Sequence, residues 1–198
     1  MKFHKPIMRF AITGNPGVGK HTTAKIIAKK IQGSRIIDIN KFAIDKNAIL
    51  RKDTKHGIDV DVRRLRKLIS HELRTITSDI AIIGHLAPYV LRPSDVRHVI
   101  VLRRSPYELV KTLERRKYSL EKIRENVASE ILGVSLYDAL KTFGKSKILE
   151  LDTTGKRPNY IADEIILSMQ KGTVRQIGIV DWLSLVYTKG DLHNFLEY

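Results

Sequence analysis

The chain has 198 residues, 36 Lys and Arg against 21 Asp and Glu, no cysteine and 42% hydrophobic content, enough apolar material for one sizeable core. No apolar stretch approaches the roughly 20 residues needed to cross a bilayer, and no long hydrophobic run follows Met1–Arg9, so neither a membrane span nor a signal peptide is expected. The lack of cysteine excludes a disulfide scaffold, a thiol nucleophile and a Cys-ligated zinc site, and suits a reducing, cytoplasmic setting. The formal charge of +15 fits either a lysine-rich surface set by composition or a polyanionic partner such as RNA.

In chain order, Ile7–Thr13 is a strand-like apolar run that ends in the glycine-rich stretch Gly14–His21, and Thr22–Ile31 carries apolar residues at helical spacing. Short Ile/Val-rich runs at Arg35–Ile39, Asp79–Gly84, Arg97–Leu102 and Ser146–Leu151 predict four more strands. Helical periodicity covers Val62–Ile76, behind the N-cap candidates Asp59 and Asp61, and then Pro106–Arg116, Leu120–Phe143 and Asn159–Gln170. Near-continuous apolar strands alternating with helices indicate an α/β fold with a five-stranded parallel sheet covered on both faces. Ligands in such sheets lie at the carboxyl ends of the strands, where the glycine loop falls. Asn40–Gly57 is polar and too long for an ordinary connection, so a functional flap is expected there. The stretch after Gly172 holds the only Trp and is expected to dock back onto the domain.

Gly14-Asn-Pro-Gly-Val-Gly-Lys20 fits the P-loop pattern G-x-x-x-x-G-K in the required strand–loop–helix context. Its glycines let successive N–H groups turn inward toward phosphate oxygens, the helix N-terminus adds its dipole, and Lys20 reaches the β and γ phosphates. The candidate nucleotide-binding residues are Asn15, Gly17, Val18, Gly19, Lys20, His21 and Thr22. Position 21 departs from the pattern. A Ser or Thr is expected there as a Mg²⁺ ligand, and the imidazole of His21 suits that hard ion poorly; it either donates to a phosphate or only fills space. The strand expected to end in an acid has Ile82 and Ile83 instead. Asp38 and Asp152 are the remaining acids at the sheet edge. Losing both protein-side ligands weakens an ATPase reading, which needs a positioned water, more than a nucleotide-kinase reading, whose acceptor is already an anion. Magnesium would then be held mainly by phosphates and water.

Arg103-Arg104 and the run Leu113–Asn126 place many cations on an arm after the fourth strand, where a lid would close arginines over a transferring phosphoryl group. Arg116 is the candidate lid arginine.

These residues resemble one family, adenylate kinase isoenzyme 6, small P-loop kinases also involved in maturation of the small ribosomal subunit. The resemblance covers most of residues 7–170. It rests on the G-x-P-G-x-G-K loop with Pro16, Gly84-His85 after the third strand, Val101-Leu102-Arg103, and Arg116-x-Tyr118 followed by Glu125-Asn126 and Glu130. Asp181-Trp182 looks like the C-terminal extension of archaeal-type members. The resemblance implies a nucleoside-monophosphate-kinase fold: a core over 1–171, with a monophosphate-binding lobe near 37–60 and a lid near 115–125, and an appended element over 172–198. It implies the reaction ATP + AMP ⇌ 2 ADP with weak ATPase activity, and a small-subunit ribosomal protein and rRNA as partners. Carried over, Gly17, Gly19, Lys20 and Thr22 match the phosphate cradle, Arg116 the lid arginine and His85 the family's histidine. Lys20, Arg116 and His85 are thus the candidate catalytic residues. The family's acid two positions before the histidine is Ile83 here. The alternative reading is a nucleotide-gated ribosome-assembly factor with little kinase turnover. A kinase for a nucleoside hydroxyl is disfavoured, because no carboxylate stands at the third strand's end to accept the proton.

Overall fold

A computed structural model describes residues 7–53, 57–171 and 177–196. Strand β1 (Arg9–Thr13) leads through the glycine loop into helix α1 (Lys20–Lys30). β2 (Arg35–Asp38) runs directly into α2 (Ile39–Asp45), and β3 (Ile49–Asp53) pairs antiparallel with β4 (Gly57–Val60). Then follow α3 (Val62–Thr75), β5 (Ile80–Ile83), the short α4 (Ala87–Val90) and β6 (His98–Arg103). Helices α5 (Pro106–Arg115), α6 (Leu120–Ile131) and α7 (Val134–Phe143) precede β7 (Ile148–Asp152) and α8 (Pro158–Lys171). Two short helices, α9 (Trp182–Thr188) and α10 (Leu192–Leu196), close the described chain.

The main sheet has the order β2-β5-β1-β6-β7, with every pairing parallel. This is the doubly wound α/β architecture, a five-stranded parallel sheet covered on both faces, that the sequence indicates. β1 is central, with Ile12 registered between Ile83 and Ile100. Because strand side chains alternate, Phe10 and Ile12 join one core cluster with Ile27, Leu109, Val127 and Ile165, while Ala11 joins another with Ile69, Ile82, Val99 and Phe143. A sheet buried on both faces explains why its strands read as continuous apolar runs.

The elements differ from the expectations in instructive places. The periodic stretch Leu120–Phe143 is two helices, broken at Gly133, whose φ of 67° lies in the left-handed region that a side chain disfavours. Of the two cap candidates only Asp61 caps α3, its Oδ1 accepting from Arg64 N at 2.9 Å; Asp59 lies in β4. Ile39 begins α2 instead of ending β2, because the Asp38 carboxylate accepts from the amides of Asn40 and Lys41 and starts a helix there. The polar stretch after residue 40 forms α2 and the β3–β4 pair. Trp182 is buried, in the same core cluster as Ile123 and Val127 of α6.

Candidate functional site

The carboxyl ends of β1, β2 and β5 bring the glycine loop, Asp38 and His85 to one edge of the sheet. There they line a cleft of about 490 Å³. Gly14, Gly17 and Gly19 hold φ of 130°, 94° and 104°. At Gly14 a Cβ would stand 2.4 Å from the Leu102 carbonyl oxygen, so the loop can lie against β6 only with glycine there. Helix α1 starts at Lys20 and points its free N–H groups toward the cleft.

Lys20 is buried, and its Nζ donates to the carbonyls of Gly14 and Asn15, both at 2.8 Å. An ammonium has three donors, so one remains for a phosphate. Burial, followed by the Arg116 charge, lowers its pKa from 10.5 to about 8, against support from the Glu130 and Asp38 carboxylates. His85 lines the cleft with part of its surface exposed to solvent, and partial desolvation and then the Lys20 and Lys122 ammoniums push its pKa down from 6.5 to about 4. Its ring is therefore neutral near pH 7, a hydrogen-bonding group instead of a cation.

Asn15, Gly17, Gly19, Lys20, His21, Thr22, His85 and Arg116 all line this cleft. Val18 does not: its side chain is fully buried in the core, so only its backbone can serve the loop. Asn15 turns its side chain away from phosphate binding, donating from Nδ2 to Glu130 Oε2 at 2.8 Å and accepting at Oδ1 from Ser129 Oγ at 3.1 Å. Arg103 and Arg104 do not belong to a lid. Arg103 is buried and held by Glu130 and Glu150 at 2.7 Å each, while Arg104 bonds Glu108 and the Gly17 carbonyl. Of the basic run, Arg116 and Lys122 reach the cleft, with Tyr118 between them.

His21 Nε2 meets Asp38 Oδ2 at 2.5 Å, a contact that sequence reading did not anticipate. It occupies one oxygen of a carboxylate whose other oxygen caps α2. Asp152 spends its Oδ1 on the amide and hydroxyl of Thr154. At the end of β5, Ile82 and Ile83 are buried and apolar. Among the described residues no group of three or more His, Cys, Asp or Glu is arranged to hold a metal ion. The loop hydroxyl and strand-end carboxylate that would ligate Mg²⁺ directly are replaced, so these residues do not fit direct ligation of that ion by the protein. Sequence reading also missed Glu130 as the partner of the loop. The available signal was an acid among the buried positions of α6, alongside Ile123, Val127 and Ile131.

Comparison with known proteins agrees with this architecture. A family model described as an AAA domain matches residues 11–133. Curated relatives named "Putative adenylate kinase" include one from Thermococcus kodakarensis, 36% identical over 177 residues (88% of this chain, 93% of the relative). Another, from Pyrococcus furiosus, is 37% identical over 175 residues (88% and 91%), and one from Methanocaldococcus jannaschii is 35% identical over 176 (88% and 93%). Among solved structures, a shikimate kinase from Acinetobacter baumannii superposes with a TM-score of 0.56 at 14% identity, covering 85% of this chain and 96% of that one. The shikimate kinase of Aquifex aeolicus gives 0.52 at 15% identity, covering 83% and 97%. At that identity the likeness speaks for the fold alone. Sequence relatives over most of its length, together with the matching P-loop domain, place the chain in the adenylate kinase isoenzyme 6 family, among relatives that carry the adenylate kinase name.

Proposed function

We propose that the chain transfers the γ-phosphoryl group of ATP to AMP, giving two ADP. The observation that carries this reading is a pair of joined clefts. The cleft at the P-loop, about 490 Å³, shares Asn40, His85 and Lys122 with a second of about 430 Å³ that Asp59, Val60 and Leu86 also line. A donor held by Gly17, Gly19, Lys20 and Thr22 and an acceptor under the lobe near 37–60 would meet at His85. In this reading the turn and first helical residues near 115–125 act as the lid.

The chemistry asked of the protein is modest. The acceptor phosphate is already an anion, so the apolar end of β5 is no obstacle, and catalysis reduces to positioning and charge. Lys20 and Arg116 balance the charge that spreads over the phosphoryl oxygens, and neutral His85 orients a phosphate by hydrogen bonding. Mg²⁺ would stay with the phosphates and water. A coupled assay for ADP formed from ATP and AMP tests the reaction; a chain that binds ATP yet forms no ADP would refute it.

The second reading, a ribosome-assembly factor gated by its nucleotide and with at most weak ATPase activity, is favoured by one observation. The charge of +15 exceeds what a phosphate cleft uses, and Arg63, Arg64 and Lys67 stand exposed along α3. A small-subunit ribosomal protein or rRNA would be the partner. Sedimentation tests this: the chain should travel with small-subunit particles in a salt-sensitive way, and its absence from them in every nucleotide state rules the reading out.

A further inference from the structure

Three charged side chains are withdrawn from water behind the P-loop: Glu130 and Glu150 are 0% exposed and Arg103 is 4% exposed. Buried ions persist only where their hydrogen-bonding capacity is filled. Glu130 Oε1 accepts from Arg103 Nε at 2.7 Å, Arg104 N at 3.1 Å and Trp182 Nε1 at 3.2 Å. Its Oε2 accepts from Asn15 Nδ2 at 2.8 Å, and its backbone carbonyl from Arg103 at 2.8 Å. Glu150 accepts from the other arm of Arg103 at 2.7 Å and from the amides of Gly178 and Ile179 at 2.6 and 3.2 Å. The segment 177–196 thus supplies donors to both carboxylates, one of which holds the loop.

The same segment grips α5. Tyr107 donates its hydroxyl to Asp191 at 2.7 Å, lies under Lys189 at 4.5 Å and meets the Phe195 ring edge-on at 5.3 Å. Helix α5 in turn abuts the loop, since a Cβ on Gly17 would stand 2.6 Å from Leu109 Cδ1. Asn15, fixed through its side chain, is also the residue whose carbonyl receives Lys20.

We propose that residues 177–196 are a latch that holds the P-loop in its phosphate-binding shape, with Glu130 the positioning residue through which Trp182 acts on Asn15. The proposal rests on nucleotide binding at the P-loop and is independent of the acceptor. Carboxylates stripped of the Trp182, Gly178 and Ile179 donors would draw in water, and Asn15 would lose its fixed partner. Coupling of this kind is reciprocal, so a nucleotide at the loop must tighten the latch.

The full chain carries the test. Trp182→Phe keeps a ring but removes the indole N–H; Asn15→Ala cuts the other end. With ADP as probe in titration calorimetry, each is expected to weaken binding about fivefold or more, and the double variant to fall short of the product of the two factors. Without nucleotide, amide hydrogen exchange over 14–20 should quicken in Trp182→Phe while β6 is unchanged. In the unmodified chain ADP should slow exchange in α9 and shift the emission of Trp182, the only tryptophan. Factors that simply multiply, or a Trp182→Phe chain that melts earlier with unaltered loop exchange and ADP affinity, would overturn the latch, as would bound ADP that leaves α9 unchanged. If the unmodified chain bound no ADP, the latch would fall with the kinase reading; a chain that binds ADP and shows the coupling, yet forms no ADP from ATP and AMP, would sink the kinase reading alone.

Discussion

On the P-loop side of the cleft, Asn15, Lys20 and Glu130 are buried and hydrogen-bonded into their surroundings, whereas on the opposite side Asn40 and Asp59 stand exposed on a short helix and a two-stranded pair. The two sides share a cleft but not a construction. β3 and β4 bond to each other and are not part of the main sheet, so their backbone can shift without breaking its ladder. A site that must grip a polyphosphate benefits from donors fixed in advance, because no ordering cost is then met on binding. A site that must exclude water around a second substrate needs a part that closes. On the proposed reading, the difference suits the donor to the half whose donors are fixed, and leaves closure to the β3–β4 pair and the lid near 115–125.

Removing Lys20 breaks the rigid half outright. Lys20→Ala should lower kcat/KM for ATP by about a thousandfold or more, since a preorganised charge in a water-poor site is lost together with the bonds that pin Gly14 and Asn15. Steady-state kinetics with a parallel ADP titration would check it. A loss under tenfold would show that the lysine is not the phosphate contact.

Arg116 sits at the end of α5 on the exposed rim, and its removal should divide the two halves. Arg116→Ala is expected to leave ADP affinity within about threefold while kcat falls about a hundredfold, the mark of a contact made stronger in the transition state. Equal losses of affinity in Lys20→Ala and Arg116→Ala would erase the division of roles.

What could be read from sequence follows the same line. The glycine loop and the apolar strands are local patterns, and the structure has them within a residue or two of the expected bounds. The break at Gly133 was hidden because Ile131, Leu132 and Val134 keep an apolar register across it. The β3–β4 pair was hidden because Leu50–Asp53 and Gly57–Asp59 lack the clean alternation of a half-buried strand. The Glu130 network leaves no periodic trace: its bonds join residues 115, 52 and 27 positions apart, so only folding reveals that the loop, α6 and Trp182 share one carboxylate. Sequence reading singled out Arg116 among these cations, but nothing in the sequence showed that Arg103 is spent on a buried pair while Arg116 is exposed.

The rigid half should also set the pH profile. In the free chain the Lys20 pKa is lowered to about 8, so kcat/KM for ATP should be level below that value and fall about tenfold per pH unit above it, as the neutral amine ceases to pair with phosphate. Bound phosphates favour the ammonium, so the same limb in kcat should lie at higher pH. Because the unfolded lysine keeps its proton up to about 10.5, the sign for folding is opposite: this group adds stability as pH rises from about 8 to 10.5. His85, lowered to about 4, should contribute no limb between pH 5 and 7. A limb near 6.5 that vanishes in His85→Asn would show the imidazole titrating normally, unaffected by the Lys20 and Lys122 charges beside it.

The smallest effect is expected where the halves touch, at the His21–Asp38 contact. His21 lies in the first turn of α1 and Asp38 caps α2, so this hydrogen bond links the two helices at the cleft. His21→Thr puts a hydroxyl back at the metal-facing position of the loop and releases Asp38 Oδ2, while Asp38 Oδ1 keeps its cap on Asn40 and Lys41. The α2 cap and therefore the melting temperature should hardly move. The Mg²⁺ concentration giving half-maximal activity should fall severalfold, because oxygen donors suit that ion and imidazole does not. If the magnesium dependence stays as it was, the ion is held without residue 21, and the contact serves only to tie α2 to the loop. In that case Asp38→Asn, which weakens the tie but keeps the helix cap, should change the KM for AMP more than that for ATP.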